Sequence, residues 1–119
     1  MQPRPLNIRN QPMQYELHLK QETGEAVLNI SGELDAGSAP AIEHALKDII
    51  ASGHCKITID SAELTYISSA GIGAFISTID QLRSAGGALS FTGLRPNVRR
   101  VFDLLGLDQV FTLPAEENG

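Results

Sequence analysis

The chain has 119 residues, of which 42% are hydrophobic and 19% charged, and its net charge at pH 7 is −5. This length suits one globular domain with one core, and the composition excludes an intrinsically disordered chain. The acidic balance argues against a nucleic-acid-binding protein, which would carry a basic stripe. Since no stretch approaches the roughly 20 apolar residues of a membrane span, we expect a cytoplasmic protein without membrane association.

The predicted elements begin with a β-hairpin. Residues 15–20 alternate polar and apolar side chains and predict a first strand, and residues 26–30 are predicted to form the second strand after a Thr23-Gly24 turn. Residues 32–35 are predicted to form a loop. A first helix then follows, with Ser38 as N-cap, and it carries one apolar face: Ile42, Ala45, Leu46, Ile49 and Ile50.

The second half alternates strands and helices. Strands are predicted at residues 56–60 and 88–92, with a loop at 61–66 and a possible last strand at 110–113. The inward faces predicted for the two helices are Ile72, Phe75, Ile76, Ile79 and Leu82 in the second, and Val98, Val101, Phe102 and Leu105 in the third.

This order predicts an α/β fold. The helices are long enough to cross over between parallel strands, so we expect a mixed sheet of 4–5 strands with three helices packed mainly on one face. Residues 13–113 form the predicted domain. Residues 1–12, which contain three prolines, and residues 114–119 are expected to be a flexible leader and tail.

Residues that bind metals or act as nucleophiles are sparse. Cys55 is the single cysteine, which fits a reducing compartment. The three histidines have no partner at metal-ligand spacing, and no glycine precedes the serines as a nucleophile elbow requires. The Gly-Ile-Gly at 71–73 lacks the later glycine of a dinucleotide-binding motif. We therefore expect no metal, no cofactor, no catalytic residue and no enzymatic activity.

Residues 65–73 join a predicted strand end to the start of the second helix. Ser68 and Ser69 place two hydroxyls where the first N–H groups of the helix lack partners. Either serine could be an ordinary N-cap. Alternatively, the position suits a phosphate, because free N–H groups and the helix dipole stabilise an anion there.

Three small residues follow these serines. Ala70, Gly71 and Gly73 leave little bulk around the two hydroxyls. The glycines have a structural interpretation, in which the helix approaches a neighbouring backbone closely. They also have a functional one, in which they form a smooth patch for a partner protein.

Four motifs together resemble the STAS-domain family, and within it the stand-alone anti-sigma-factor antagonists. The resemblance covers about residues 13–113. The motifs, in chain order, are Gly32–Asp35, Leu64–Gly73, Gly86-Gly87 and Leu94–Leu107.

The resemblance implies a phosphorylation switch. In that family the unphosphorylated antagonist binds an anti-sigma factor that is also an ATP-dependent serine kinase, and a sigma factor is released. The kinase then phosphorylates a serine at the start of the second helix, and a metal-dependent serine phosphatase removes the phosphate. When the chain is aligned through residues 71–73, Ser69 takes the position of that serine.

The resemblance also assigns the residues around the phosphorylated serine. Asp35 matches an aspartate that shapes the partner surface. Ser68 and Ala70 occupy positions where the family often has an aspartate and a second hydroxyl residue, so the chain departs from the family pattern on both sides of Ser69. With Gly71 and Gly73, these residues make up the expected partner-binding loop.

Two other functions are compatible with the same residues. The domain could be a STAS interaction subunit of a lipid or anion transport system, in which Ser69 is an N-cap. It could also bind a small molecule in a cleft near Ser69 and Asp35, and Asp35 could activate Ser69 only if the two meet in space.

Overall fold

A four-stranded mixed sheet is the frame of the molecule. The structure is a computed structural model and describes residues 12–20 and 22–113. The strands lie in chain order across the sheet, with the first pair antiparallel and the next two pairs parallel. They are β1 (Gln14–Lys20), β2 (Glu25–Leu34), β3 (Lys56–Ile67) and β4 (Ala88–Thr92).

The helices cover one face of this sheet. Every second residue of β2 is buried, whereas the residues between them are partly exposed, which is the pattern of a sheet covered on one side. The helices are α1 (Ala39–Ala51), α2 (Ser69–Ile76), α3 (Ile79–Ser84) and α4 (Pro96–Leu104), followed by a short 3₁₀ turn (Leu107–Gln109). The predicted α/β fold is therefore confirmed.

An aromatic cluster fixes α2 on the sheet. Phe75 of α2 is fully buried, and its ring lies 5.0 Å from that of Phe91 in β4, in an edge-to-face arrangement. Phe111 packs edge-on against both rings, at 6.5 Å from Phe75 and 5.2 Å from Phe91. Such pairs add to the free energy of burial, so they hold the helix that begins at Ser69 in one position.

The loops predicted at residues 32–35 and 61–66 are mostly strand. β2 continues to Leu34 and β3 to Ile67, and these two residues pair with each other. The register of this pairing shifts twice, between Asn29 and Ser31 and between Gly32 and Glu33. The prediction was wrong because a glycine, and not an apolar side chain, stands at the buried position 32 of β2, and because the alternation of β3 is broken after Ser61.

The second predicted helix is interrupted after Ile76. The Ser77 hydroxyl donates to the carbonyl of Ala74 at 2.8 Å, and the Thr78 hydroxyl donates to that of Phe75 at 2.8 Å. Hydroxyls that bond back to the preceding turn compete with the backbone ladder, so α2 ends and α3 begins at Ile79.

Two residues predicted to face inward are instead exposed. Ile76 is the last residue of α2, and its side chain is 44% exposed. Leu105 lies just beyond the end of α4 and is 58% exposed. At a helix end the 3.6-residue period no longer determines which way a side chain points, so the pattern fails at both positions.

In place of the predicted last strand, the structure has an isolated β-bridge. Thr112 forms a parallel bridge with Ser90, beside β4. The predicted tail, residues 114–119, lies outside the described residues, and so does the predicted leader except for Pro12.

Candidate functional site

Ser68 is the N-cap of α2. Its side-chain oxygen accepts a hydrogen bond from the Gly71 N–H at 3.1 Å, and its carbonyl accepts one from the Ile72 N–H at 3.0 Å. Its own N–H donates to the Leu34 carbonyl at 2.9 Å, which ties the start of α2 to the end of β2. The capping role that the sequence left open between two serines therefore belongs to Ser68.

Ser69 is the first residue of α2 and is exposed. Its hydroxyl forms no hydrogen bond with any of the described residues. The N–H groups of Ser69 and Ala70 lie in the first turn of α2, where backbone donors have no acceptor within the helix. An anion attached to Ser69 would therefore lie at the positive end of the helix, beside free donors.

Gly71 and Gly73 differ in their surroundings. A Cβ on Gly71 would lie 2.9 Å from the side chains of both Leu34 and Ile67 and 3.1 Å from the Leu34 carbonyl oxygen. A Cβ on Gly73 would meet no atom within 4 Å, and Gly73 is exposed. The structural interpretation therefore holds for Gly71, whereas Gly73 belongs to an open surface.

Small and apolar exposed residues lie along α2 from Ser69 onward, and the exposed Tyr66 lies just before the helix. We call this set the α2 surface, and it consists of Tyr66, Ser69, Ala70, Gly73 and Ile76. Tyr66 and Ile76 are 47% and 44% exposed. Sequence reasoning missed both, because Tyr66 was placed in a loop and Ile76 in the core. The one signal available was that residues 64–79 contain no charged side chain.

Asp35 follows β2 directly and is held by Ser38. Its carboxylate accepts hydrogen bonds from the Ser38 N–H at 3.0 Å and from the Ser38 hydroxyl at 2.9 Å. The Asp35 N–H donates to the Ser38 oxygen at 3.0 Å, so the two residues bond reciprocally at the start of α1. The bond from the Ser38 hydroxyl is the main reason why the pKa of Asp35 is lowered from its ordinary value.

Replacing Ser38 by alanine should raise the pKa of Asp35 towards 3.8, its ordinary value. A lowered pKa in the folded state stabilises the fold above the ordinary pKa, and that stabilisation is lost as the pH falls through the folded value. The destabilisation caused by Ser38→Ala should therefore shrink below about pH 4. Carboxyl NMR titration of both proteins measures the shift, and an unchanged Asp35 pKa would contradict the role of Ser38.

Asp35 and Ser69 follow neighbouring parallel strands but do not interact. Leu34 pairs with Ile67 at the ends of β2 and β3, and Ser68 bonds back to Leu34. No hydrogen bond joins Asp35 to Ser68 or Ser69, and both bonds that its carboxylate accepts from Ser38 are made to one oxygen, Oδ1. Among the described residues, Asp35 is therefore not hydrogen-bonded to Ser69 as an activating base would be.

A broad depression on the described surface lies beside this site, and Ser69 is not among its lining residues. It has a volume of about 1090 Å³, and Asp35, Tyr66 and Arg95 are among its lining residues. Within residues 12–20 and 22–113, no group of three or more acidic, histidine or cysteine side chains is placed to hold a metal ion. No helix of this part is long and apolar enough to cross a membrane.

Several proteins to which this chain is similar are anti-sigma-factor antagonists. The anti-sigma-B factor antagonist of Bacillus subtilis is 29% identical over 107 residues, which cover 90% of this chain and 97% of that protein. The crystal structure of an anti-sigma factor antagonist from Mycobacterium paratuberculosis is 26% identical, with a TM-score of 0.75 and coverage of 88% and 87%. The Bacillus cell fate determinant SpoIIAA in its phosphorylated form has the same fold, at 22% identity and a TM-score of 0.67, over 87% and 93% of the two chains.

The family of this chain is shown by a domain profile that matches nearly the whole of it. The STAS domain profile matches residues 16–118, which include all of β2 to α4 and most of β1. The sheet order and the helix that begins at Ser69 agree with this match. The chain belongs to the STAS domain family.

Proposed function

We propose that this chain is an anti-sigma-factor antagonist whose binding is switched off by phosphorylation of Ser69. The observation that carries the proposal is the division of roles between adjacent serines. Ser68 caps the helix, so the exposed Ser69 hydroxyl is available for modification without loss of the cap. In this proposal the chain acts by binding and not by catalysis.

The α2 surface is suited to a contact that a phosphate would disrupt. It presents small and apolar side chains, and the chain around it carries no charge from residue 64 to residue 79. A phosphate adds a charge of about −1.5 to −2 and three strong acceptors. Burying that charge against a partner carries a desolvation penalty unless the partner supplies cations. Phosphorylation at Ser69 should therefore weaken binding without a change of fold.

The partners follow from this role. The unphosphorylated chain would bind an anti-sigma factor with serine kinase activity and thereby release a sigma factor. A metal-dependent serine phosphatase would restore the unphosphorylated form. These reactions would take place in the bacterial cytoplasm. A protein of the same fold has been solved in a phosphorylated form, which supports a phosphorylated state for this chain.

Phosphorylation by the cognate anti-sigma factor kinase tests the assignment of the site. Incubation with ATP should add one phosphate, and peptide mass spectrometry should place it on Ser69. Ser69→Ala should accept none. Ser68→Ala is the matched control: it should still be phosphorylated at Ser69, although loss of the N-cap lowers the free energy of unfolding by about 0.5–2 kcal/mol.

Two outcomes would contradict the proposal. Phosphate on Ser68, Thr65 or Ser77 would show that the alignment of this chain with its family is shifted. No phosphorylation of the folded wild type, together with binding of the kinase that ATP does not affect, would favour the interaction subunit of a transport system.

A further inference from the structure

The first strand carries an apolar strip that the helices leave uncovered. Tyr15, Leu17 and Leu19 pair with Ile30, Leu28 and Ala26 of β2, so they lie on the helix side of the sheet. Their partners in β2 are at most 1% exposed, whereas the three β1 residues are between 42% and 48% exposed. Half of each large apolar side chain therefore remains in contact with solvent.

This strip is the outer wall of a groove. The groove lies between β1 and α1, has a volume of about 200 Å³, and is floored by Leu28 and bounded by Ala45 and Ile49 of α1. Because β1 is the edge strand of the described sheet, alternate residues direct their backbone N–H and C=O groups away from β2. An apolar strip next to an unsatisfied backbone edge is suited to the addition of another strand.

We propose that β1 pairs with β1 of a second copy of this chain, antiparallel and centred on Leu17. The two four-stranded sheets would then form one continuous sheet, with the helices of both copies on the same side. Leu17 would face its own counterpart, and Tyr15 would face Leu19 of the other copy. The two apolar strips would cover each other.

The polar side of β1 favours the same register. Pairing centred on Leu17 places Glu16 opposite His18 of the other copy, twice, and Gln14 opposite Lys20, so no two like charges are directly opposed. The second copy therefore brings no like charges together on the polar side, and it places the Glu16 carboxylate opposite an imidazole of the kind that already lies 3.5 Å from it within β1, that of His18.

The other symmetric registers are less favourable. Pairing centred on Glu16 would oppose two carboxylates. Pairing centred on His18 would leave Gln14 and Tyr15 outside the ladder. A shift by a single residue would place the apolar strip of one copy on the polar side of the other. The proposal concerns β1 and does not depend on the role of Ser69.

Sedimentation equilibrium of the full chain, from micromolar to millimolar concentration, tests the dimer. Wild type should show a monomer–dimer equilibrium, and Leu17→Lys should raise the dissociation constant of the dimer by at least ~10-fold. Leu104→Lys is the matched control, because Leu104 is a 77% exposed leucine of α4, a helix that packs on β3 and the 3₁₀ turn. It should leave the equilibrium unchanged, and circular dichroism should show both variants folded.

Several outcomes would overturn the proposal. They are a wild type that stays monomeric at all concentrations, a dimer that Leu17→Lys leaves intact, and a dimer that Leu104→Lys weakens equally. Hydrogen exchange distinguishes the dimer from one other possible occupant of the groove, the same chain's own N-terminal residues. Protection of the β1 amides that grows with protein concentration supports the dimer, whereas full protection in a monomer would assign the groove to residues 1–11 of the same chain.

Crosslinking tests the register in a Cys55→Ser background. After oxidation with diamide, Leu17→Cys should form a disulfide-linked dimer, because residue 17 meets itself at the two-fold axis. Glu16→Cys and His18→Cys are the controls for the neighbouring registers and should crosslink more slowly. A faster crosslink at position 16 or 18 would contradict pairing centred on Leu17.

Discussion

Replacing Gly71 by alanine should lower the free energy of unfolding by about 1–3 kcal/mol, the usual cost of adding a methyl group to a packed interior. The new Cβ would lie 2.9 Å from the side chains of Leu34 and Ile67, both of them buried, and 3.1 Å from a backbone oxygen. The gain in helix propensity, about 1 kcal/mol, offsets part of that loss. Urea denaturation measures the difference.

Gly73→Ala is the matched control in the same helix. Because the added methyl group meets no atom within 4 Å, the propensity gain should dominate and raise the free energy of unfolding by up to about 1 kcal/mol. Equal stability of the two variants would show that α2 does not approach β2 as closely as described. The comparison also separates the structural glycine from the one on the α2 surface.

A substitution that blocks phosphorylation of Ser69 and one that mimics the phosphate should differ in their effect on partner binding. Ser69→Ala should bind the anti-sigma factor as tightly as wild type and remain bound in the presence of ATP, because it cannot be modified. Ser69→Asp should bind more weakly, although one carboxylate carries less charge than a phosphate. Co-elution in gel filtration, with and without ATP, measures both.

A control substitution shows whether charge at this position is the cause. Ser69→Asn has a side chain of similar size to aspartate but no charge, so it should bind more tightly than Ser69→Asp. Equal weakening by asparagine and aspartate would attribute the effect to side-chain size and contradict a switch based on charge.

The fold was predictable from the sequence because its elements have regular patterns. The hairpin, the helix that starts after Ser38 and the strand at β4 all keep one period from end to end. The extensions of β2 and β3 were not predictable, since Gly32 occupies a buried position of β2 without an apolar side chain and the alternation of β3 is broken after Ser61. The interruption of the second helix was also missed, because side-chain bonds from Ser77 and Thr78 to the backbone cause it and apolar spacing does not reveal them.

The candidate site was predictable in position but not in detail. The position of two hydroxyls at a helix start was visible, but the division between cap and free hydroxyl depends on the hydrogen bond from Gly71 to Ser68. The exposure of Tyr66 and Ile76 depends on where the helices end on the sheet. The bond between Asp35 and Ser38 depends on the conformation of the turn between β2 and α1, which spacing alone does not specify.

Isothermal titration calorimetry of the purified anti-sigma factor with the two forms of wild-type protein tests the central claim most directly. The form phosphorylated at Ser69 should bind with an affinity lower by at least ~1.4 kcal/mol, a factor of ten. Its circular dichroism and melting temperature should match those of the unphosphorylated form, because the modified hydroxyl is exposed and the cap is on Ser68. Equal affinity of the two forms, or an affinity loss accompanied by unfolding, would contradict a switch that acts through local charge on the α2 surface.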